Sequence, residues 1–97
     1  MTNEQIAKIM GWDYNFQEKR ILQNNRWLDL YSMEGAKLLQ AKIVDDEWRI
    51  TIHAYTTGYF EAEAYHVKKP RLNICVGSNS ECQALIALFE KIYGDKK

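Results

Sequence analysis

The sequence predicts one α+β domain, with a three-stranded antiparallel β-meander packed with two main helices and a short N-terminal helix (α-α-β-β-β-α). Two patterns predict this class. Apolar residues recur at helical spacing in three segments, and they alternate with polar residues in two consecutive segments before the last helix. A length of 97 residues, with 46% apolar and 27% charged, is typical of one globular domain. We divide it into an N-terminal helix and connector (1–26), a core (27–94) and a charged tail (95–97).

The N-terminal region begins with a short helix. Thr2 is a suitable cap with Gln5 at the capping-box position, and Gly11 is placed to end the helix. Residues 13–31 follow with an irregular apolar pattern. We interpret this segment as a connector that covers part of the core and has room for one short strand.

The second helix has a clearer signature. Ser32 is a typical N-cap, and Ala36, Leu39 and Ile43 then recur at helical spacing. We predict a helix over residues 33–44 with its apolar stripe on the core.

The hydrophobic period then changes from 3.6 to 2, which predicts a β-hairpin. A two-residue turn would place Glu61 and Glu63 against aliphatic side chains, whereas a three-residue loop pairs Tyr55 with Tyr59 and separates the two faces. Gly58 suits the left-handed position of such a loop. The predicted inward pairs are Ala54 with Phe60, Ile52 with Ala62, Ile50 with Ala64 and Trp48 with His66, and the outward pairs are His53 with Glu61, Thr51 with Glu63 and Arg49 with Tyr65.

The C-terminal part predicts a third strand and a third helix. Pro70 breaks the second strand, residues 72–76 form the third, and residues 77–79 are predicted to turn. Ser80 and Gln83 form a capping box that opens the last helix, and Gly94 ends it.

The outward face of the hairpin is the candidate binding surface. Tyrosines with arginine and histidine are enriched where proteins recognise partners. Two alternatives stay open: the N-terminal helix and connector could cover this face, or it could be ordinary exposed strand surface. The candidate binding residues are Arg49, His53, Tyr55, Tyr59, Glu61 and Tyr65.

Composition argues against several other classes. Thirteen basic and thirteen acidic residues give a net charge of zero, which disfavours a broad nucleic-acid or anionic-membrane surface. A basic cluster of Lys68, Lys69 and Arg71 still keeps a nucleic-acid-associated module as the alternative function. The two cysteines, Cys75 and Cys82, fit no zinc pattern, so we expect buried reduced thiols, no metal site and no cofactor.

No catalytic motif is recognisable in the sequence. The third hypothesis is an enzyme that uses His53 with Glu61 as an acid–base pair, and the simpler explanation is a cross-strand ion pair. The first residues do not resemble a signal peptide, and no apolar run is long enough to span a membrane. We therefore expect a non-enzymatic protein of the cytoplasm.

Three features from Trp27 onward form a recognisable order: Tyr31-Ser32 before a helix, a hairpin that begins at Trp48, and Cys82 in the last helix. In this order residues 27–93 resemble the phage ABA sandwich domain family. The resemblance implies an α-β-β-β-α core and a phage or prophage origin, with no catalytic residue to carry over. We therefore expect a small binding protein in the host cytoplasm that occupies a host protein or sequesters a small ligand, and that forms a homodimer.

Overall fold

The computed structural model describes residues 2–69 and 71–94. This part of the chain forms three helices and two three-stranded antiparallel sheets, so the α+β class is confirmed and the predicted arrangement is confirmed only in part. The elements in chain order are α1 (Asn3–Met10), β1 (Asp13–Asn15), β2 (Arg20–Gln23), β3 (Arg26–Leu28), α2 (Met33–Asp45), β4 (Trp48–Ala54), β5 (Phe60–His66), β6 (Asn73–Ser78) and α3 (Glu81–Gly94).

The main sheet has the order β4-β5-β6, and its hairpin has the predicted register at every pair from Trp48–His66 to Ala54–Phe60. The Tyr55 N–H donates to the Tyr59 carbonyl over 2.9 Å, which closes the three-residue loop. Gly58 has φ +82°, the left-handed conformation expected there. The alternation of inward and outward side chains is therefore confirmed.

The third strand is longer than predicted. It runs from Asn73 to Ser78, so Gly77 and Ser78 belong to the strand rather than to a turn. Gly77 pairs with Glu61, and Ser78 pairs with Phe60 at the start of β5. Pairing along the full length of β5 outweighs the local turn preference of the Gly-Ser dipeptide.

Helices α2 and α3 pack on the inner face of this sheet. Ser32 caps α2 as predicted, and Ala36, Leu39 and Ile43 are fully buried. Ala62 and Ala64 are also fully buried, and their small side chains let α3 lie close to β5. At the start of α3, the Ser80 hydroxyl accepts from the Gln83 N–H as predicted, but the side-chain Oε1 of Gln83 accepts from the Ser78 hydroxyl.

The connector at residues 13–31 is where the sequence prediction is wrong. Instead of one short strand it holds a whole second sheet in the order β1-β2-β3. Asn24 and Asn25 have φ of 53° and 63° and join β2 to β3 in a two-residue hairpin. An Asn-Asn pair at two positive-φ positions is a type I′ signal, and it was not used in the prediction for residues 13–31.

The N-terminal helix has the predicted ends, with the Thr2–Gln5 capping box and Gly11 at φ +73°. It packs on β1 and β2, and its residues Ile6 and Ala7 are buried. The buried side chains form one cluster that joins the small sheet, the three helices and the inner face of the main sheet. Among the described residues no helix is long and apolar enough to cross a membrane. The predicted break at Pro70 and the charged tail at 95–97 lie outside the described residues.

Candidate functional site

The outer face of the main sheet brings the predicted binding residues together. Register pairing aligns three cross-strand rows on this face, and Tyr55 and Tyr59 extend it beyond the hairpin end. Tyr55, Tyr59 and Tyr65 remain 48%, 40% and 45% exposed. The three rows are Arg49–Tyr65–Asn73, Thr51–Glu63–Cys75 and His53–Glu61–Gly77. We call this surface the outer face.

Residues 2–31 leave the outer face open, although their helix and connector were considered as a possible cover for it. Helix α1 packs on the small sheet, and the buried Ile6 and Ile21 belong to the inner core cluster instead. The alternative of a three-layer sandwich over the tyrosines is therefore wrong for the described part of the chain. The outer face is solvent-accessible surface.

Tyr55 is held in place by two neighbours. Its hydroxyl donates to Glu61 Oε1 over 2.6 Å, and its ring centroid lies 6.0 Å from that of Tyr59. The hydrogen bond to the Glu61 carboxylate raises the pKa of Tyr55 above its usual 10.0, with smaller contributions from desolvation and the same negative charge. Tyr55 is therefore an ordered, neutral phenol at neutral pH.

His53 contacts a different carboxylate from the one directly opposite. It pairs in register with Glu61, as predicted, but its Nε2 lies 3.6 Å from Glu63 Oε2. Glu61 instead accepts a hydrogen bond from the Tyr55 hydroxyl. The proposed acid–base pair of His53 and Glu61 is therefore divided between two separate contacts, each of which is open to solvent. Contacts this exposed are screened by solvent and contribute little to stability.

Tyr59 lies across Gly77 of the neighbouring strand. A Cβ built on Gly77 would meet the Tyr59 hydroxyl well inside van der Waals contact and would lie 3.1 Å from Cε2. Only glycine leaves room for the ring in this position. The sequence analysis missed this role because it assigned Gly77 to a turn.

Cys75 also lies on the outer face, contrary to the expectation of a buried thiol. It is exposed and pairs in register with Glu63. Desolvation first, and then the Glu61 and Glu63 carboxylates, raise the pKa of the thiol above 9.0, which disfavours the nucleophilic thiolate. The strict alternation of β6, with Ile74 and Val76 inward, is the signal that could have placed it. Cys82 is half-buried in α3, where its Sγ lies 3.1 Å from Met33 Sδ.

A pocket, which the sequence did not reveal, opens at the other side of the sheet. It has a volume of about 440 Å³ and lies between the inner face of the main sheet and the C-terminal ends of α2 and α3. Trp48 and His66, predicted to share the inner face, meet edge to face here with ring centroids 5.2 Å apart. His66 Nδ1 accepts the Lys68 backbone N–H over 3.2 Å, which leaves Nε2 to carry the proton of the neutral ring. The lining residues are Asp46, Trp48, His66, Lys69, Leu72, Ile74, Ile92 and Tyr93.

A charged network borders this pocket. The Tyr93 hydroxyl donates to Asp46 Oδ2, and Lys42 Nζ lies 3.3 Å from the same oxygen. Burial first, and then the Asp46 hydrogen bond, raise the pKa of Tyr93 far above its usual 10.0. The network joins the end of α2 to the end of α3 and so fixes the shape of the pocket.

The basic cluster is smaller than its sequence suggests. Lys68 Nζ lies 3.1 Å from Glu47 Oε1, so one of the three cations in the cluster has an acidic partner. Lys69 and Arg71 are exposed on the connection between β5 and β6. Among residues 2–69 and 71–94 there is no group of three metal-ligating side chains.

Comparison with family models, curated proteins and solved structures finds no match. The phage family resemblance therefore stays a prediction, and the outer face and the pocket are the two features from which a function can be proposed.

Proposed function

We propose that this protein is a small non-enzymatic binding protein of phage or prophage origin, and that its outer face docks a host protein in the host cytoplasm. The observation that carries the proposal is an open sheet face with three half-exposed tyrosines. Exposed aromatic side chains grouped on one rigid element are typical of surfaces that bind proteins.

The order of the outer face supports the same proposal. Tyr55 is held by Glu61 and Tyr59, and Tyr59 is seated over Gly77, so these rings lose little freedom when a partner binds. The charges are mixed, with Arg49 beside Glu61 and Glu63 on the same face. A mixed surface of this kind suits a polar protein face better than a phosphate backbone, which requires an excess of positive charge.

Paired variants test the proposal. Replacing Tyr59 and Tyr65 with threonine keeps a good strand former at both positions while it removes the rings. Tyr31→Thr is the matched control, because Tyr31 is 61% exposed and lies outside the sheet. Tagged wild-type protein and the Tyr31→Thr control should retain the same host protein on affinity purification, and the Tyr59→Thr/Tyr65→Thr variant should lose it. Retention by all three proteins would contradict a role for the outer face.

The pocket supports a second candidate function, which is sequestration of a small ligand. Its volume lies within the ~300–1,000 Å³ range of ligand sites, and apolar walls from Trp48, Leu72 and Ile92 meet polar groups on one side. A ligand with an apolar body and one polar end fits this lining.

Native mass spectrometry of gently purified protein tests this candidate. A bound ligand would add a few hundred daltons to the wild-type mass. It should be absent from Leu72→Trp, in which the larger indole side chain fills the pocket. Leu72 is 45% exposed, so this change spares the core. An adduct that persists in Leu72→Trp would contradict binding in the pocket.

A further inference from the structure

The free edge of β6 carries an inference that does not depend on the outer-face proposal. The main sheet has the order β4-β5-β6, so β4 and β6 are its edge strands among the described residues. The His66 N–H donates to the Leu72 carbonyl, and the antiparallel ladder then alternates along β6. Ile74, Val76 and Ser78 direct their backbone groups to β5. Asn73, Cys75 and Gly77 direct theirs to the open edge.

This edge lacks the features that normally keep sheet edges from pairing. Residues Asn73–Ser78 contain no charge and no proline, whereas β4 carries Arg49 and His53. Proteins usually protect exposed edges with charges, prolines or bulges. An uncharged edge with three outward backbone positions is therefore a template for another strand.

We propose that β6 pairs antiparallel with β6 of a second copy of this chain, so that two main sheets join into one six-stranded sheet. The two-fold register centred on Cys75 uses all three outward positions. It pairs Cys75 with Cys75 of the second copy, and Asn73 with Gly77. If the two-fold axis moves to Ile74, Gly77 faces a residue outside β6 of the second copy. If it moves to Val76, the same happens to Asn73.

Charge at the ends of β6 favours this antiparallel pairing. Lys69 and Arg71 precede the strand, and Glu81 follows it at the start of α3. Two-fold pairing brings the basic end of each strand to the acidic end of the other. The side chains of Asn73, Cys75 and Gly77 are small or uncharged, so no like charges meet where the two β6 strands pair.

Analytical ultracentrifugation with two matched lysine variants tests the pairing. Cys75→Lys puts like charges directly opposite each other and should weaken the dimer by at least about tenfold. Thr51→Lys places the same side chain on the same row of the outer face, but on the other edge strand, and should leave the dimer unchanged. A wild-type protein that stays monomeric at 11.4 kDa, or a dimer lost only in Thr51→Lys, would overturn the proposal.

A spin label gives a second measurement that does not depend on a destabilising change. In a Cys82→Ser background a nitroxide on Cys75 should report a second nitroxide at short range, because antiparallel partners in hydrogen-bonded pairs have Cα atoms about 5.5 Å apart. Dilution with unlabelled protein should remove this coupling. A dimer in which the two labels are not coupled would show that another surface forms it.

Discussion

Gly35 in the first turn of α2 offers a prediction in which two physical effects have opposite signs. Alanine stabilises a helix interior by about 1 kcal/mol relative to glycine, so propensity alone predicts that Gly35→Ala raises stability. The structure predicts the reverse. A Cβ on Gly35 would lie 2.8 Å from the Leu30 Cα and closer still to the Asp29 carbonyl oxygen, and both obstacles are backbone atoms.

The size of the effect follows from this contact. Backbone cannot rotate away as a side chain can, so the helix start must move off the segment that leads into it, and overpacking of this kind costs about 1–3 kcal/mol. The movement also strains the hydrogen bonds of Ser32, whose hydroxyl donates to Asp29 O and accepts from Gly35 N. Subtracting the propensity gain of about 1 kcal/mol leaves a loss of about 0–2 kcal/mol, and the strained Ser32 hydrogen bonds add to it, so the net change is destabilising.

Urea denaturation followed by circular dichroism measures this change. A loss of 1 kcal/mol corresponds to a decrease in Tm of roughly 4–8 °C for a domain of this size. Lys37→Ala is the control, because Lys37 is exposed in the same helix and its replacement should change stability by less than about 0.5 kcal/mol. A Gly35→Ala protein as stable as the wild type, or more stable, would refute the packing argument.

Four further outcomes are expected. Because the folded pKa of Tyr93 lies above its unfolded value of 10.0, its contribution to stability is complete below pH 10 and is lost as the pH rises further, so Tyr93→Phe should flatten the alkaline part of a stability–pH profile. Cys75 should react with iodoacetamide more slowly at neutral pH than an unperturbed cysteine in a peptide, because its thiolate is disfavoured. Asn25→Gly should raise the free energy of unfolding, measured by urea denaturation, by up to about 1 kcal/mol, because Asn25 has φ 63° and glycine adopts this conformation without strain. Gly77→Ala should leave the protein folded but displace the Tyr59 ring, which NMR shifts of the ring protons would show.

The main sheet could be predicted because one rule determined it. Alternation of apolar and polar residues from Trp48 to Tyr65 allows only one register that keeps Glu61 and Glu63 out of the core, and the structure has that register. The same constraint placed the candidate binding residues on one face. Helices α2 and α3 could also be predicted, because each has an apolar stripe that is buried and begins where a serine hydroxyl accepts a backbone N–H, although the capping box predicted for α3 is only half formed.

The rest depends on contacts that no local pattern encodes. Strands β1, β2 and β3 are only three or four residues long, too short for a clear alternation, and they are stabilised by packing with α1 and the core. The pocket depends on how the ends of α2 and α3 meet Trp48 and His66 across long sequence separations. Which carboxylate His53 contacts was likewise a matter of side-chain geometry rather than register.

Site-specific photo-crosslinking in host cells tests the central claim, that the outer face binds a protein, most directly. A photoreactive phenylalanine analogue in place of Tyr65 reports what touches the outer face, and the same analogue in place of Tyr31 serves as the control, since both positions are exposed. We expect a discrete heavier adduct with a host protein from position 65 and none from position 31. Equal labelling from both positions, or no adduct with a host protein from position 65, would contradict it.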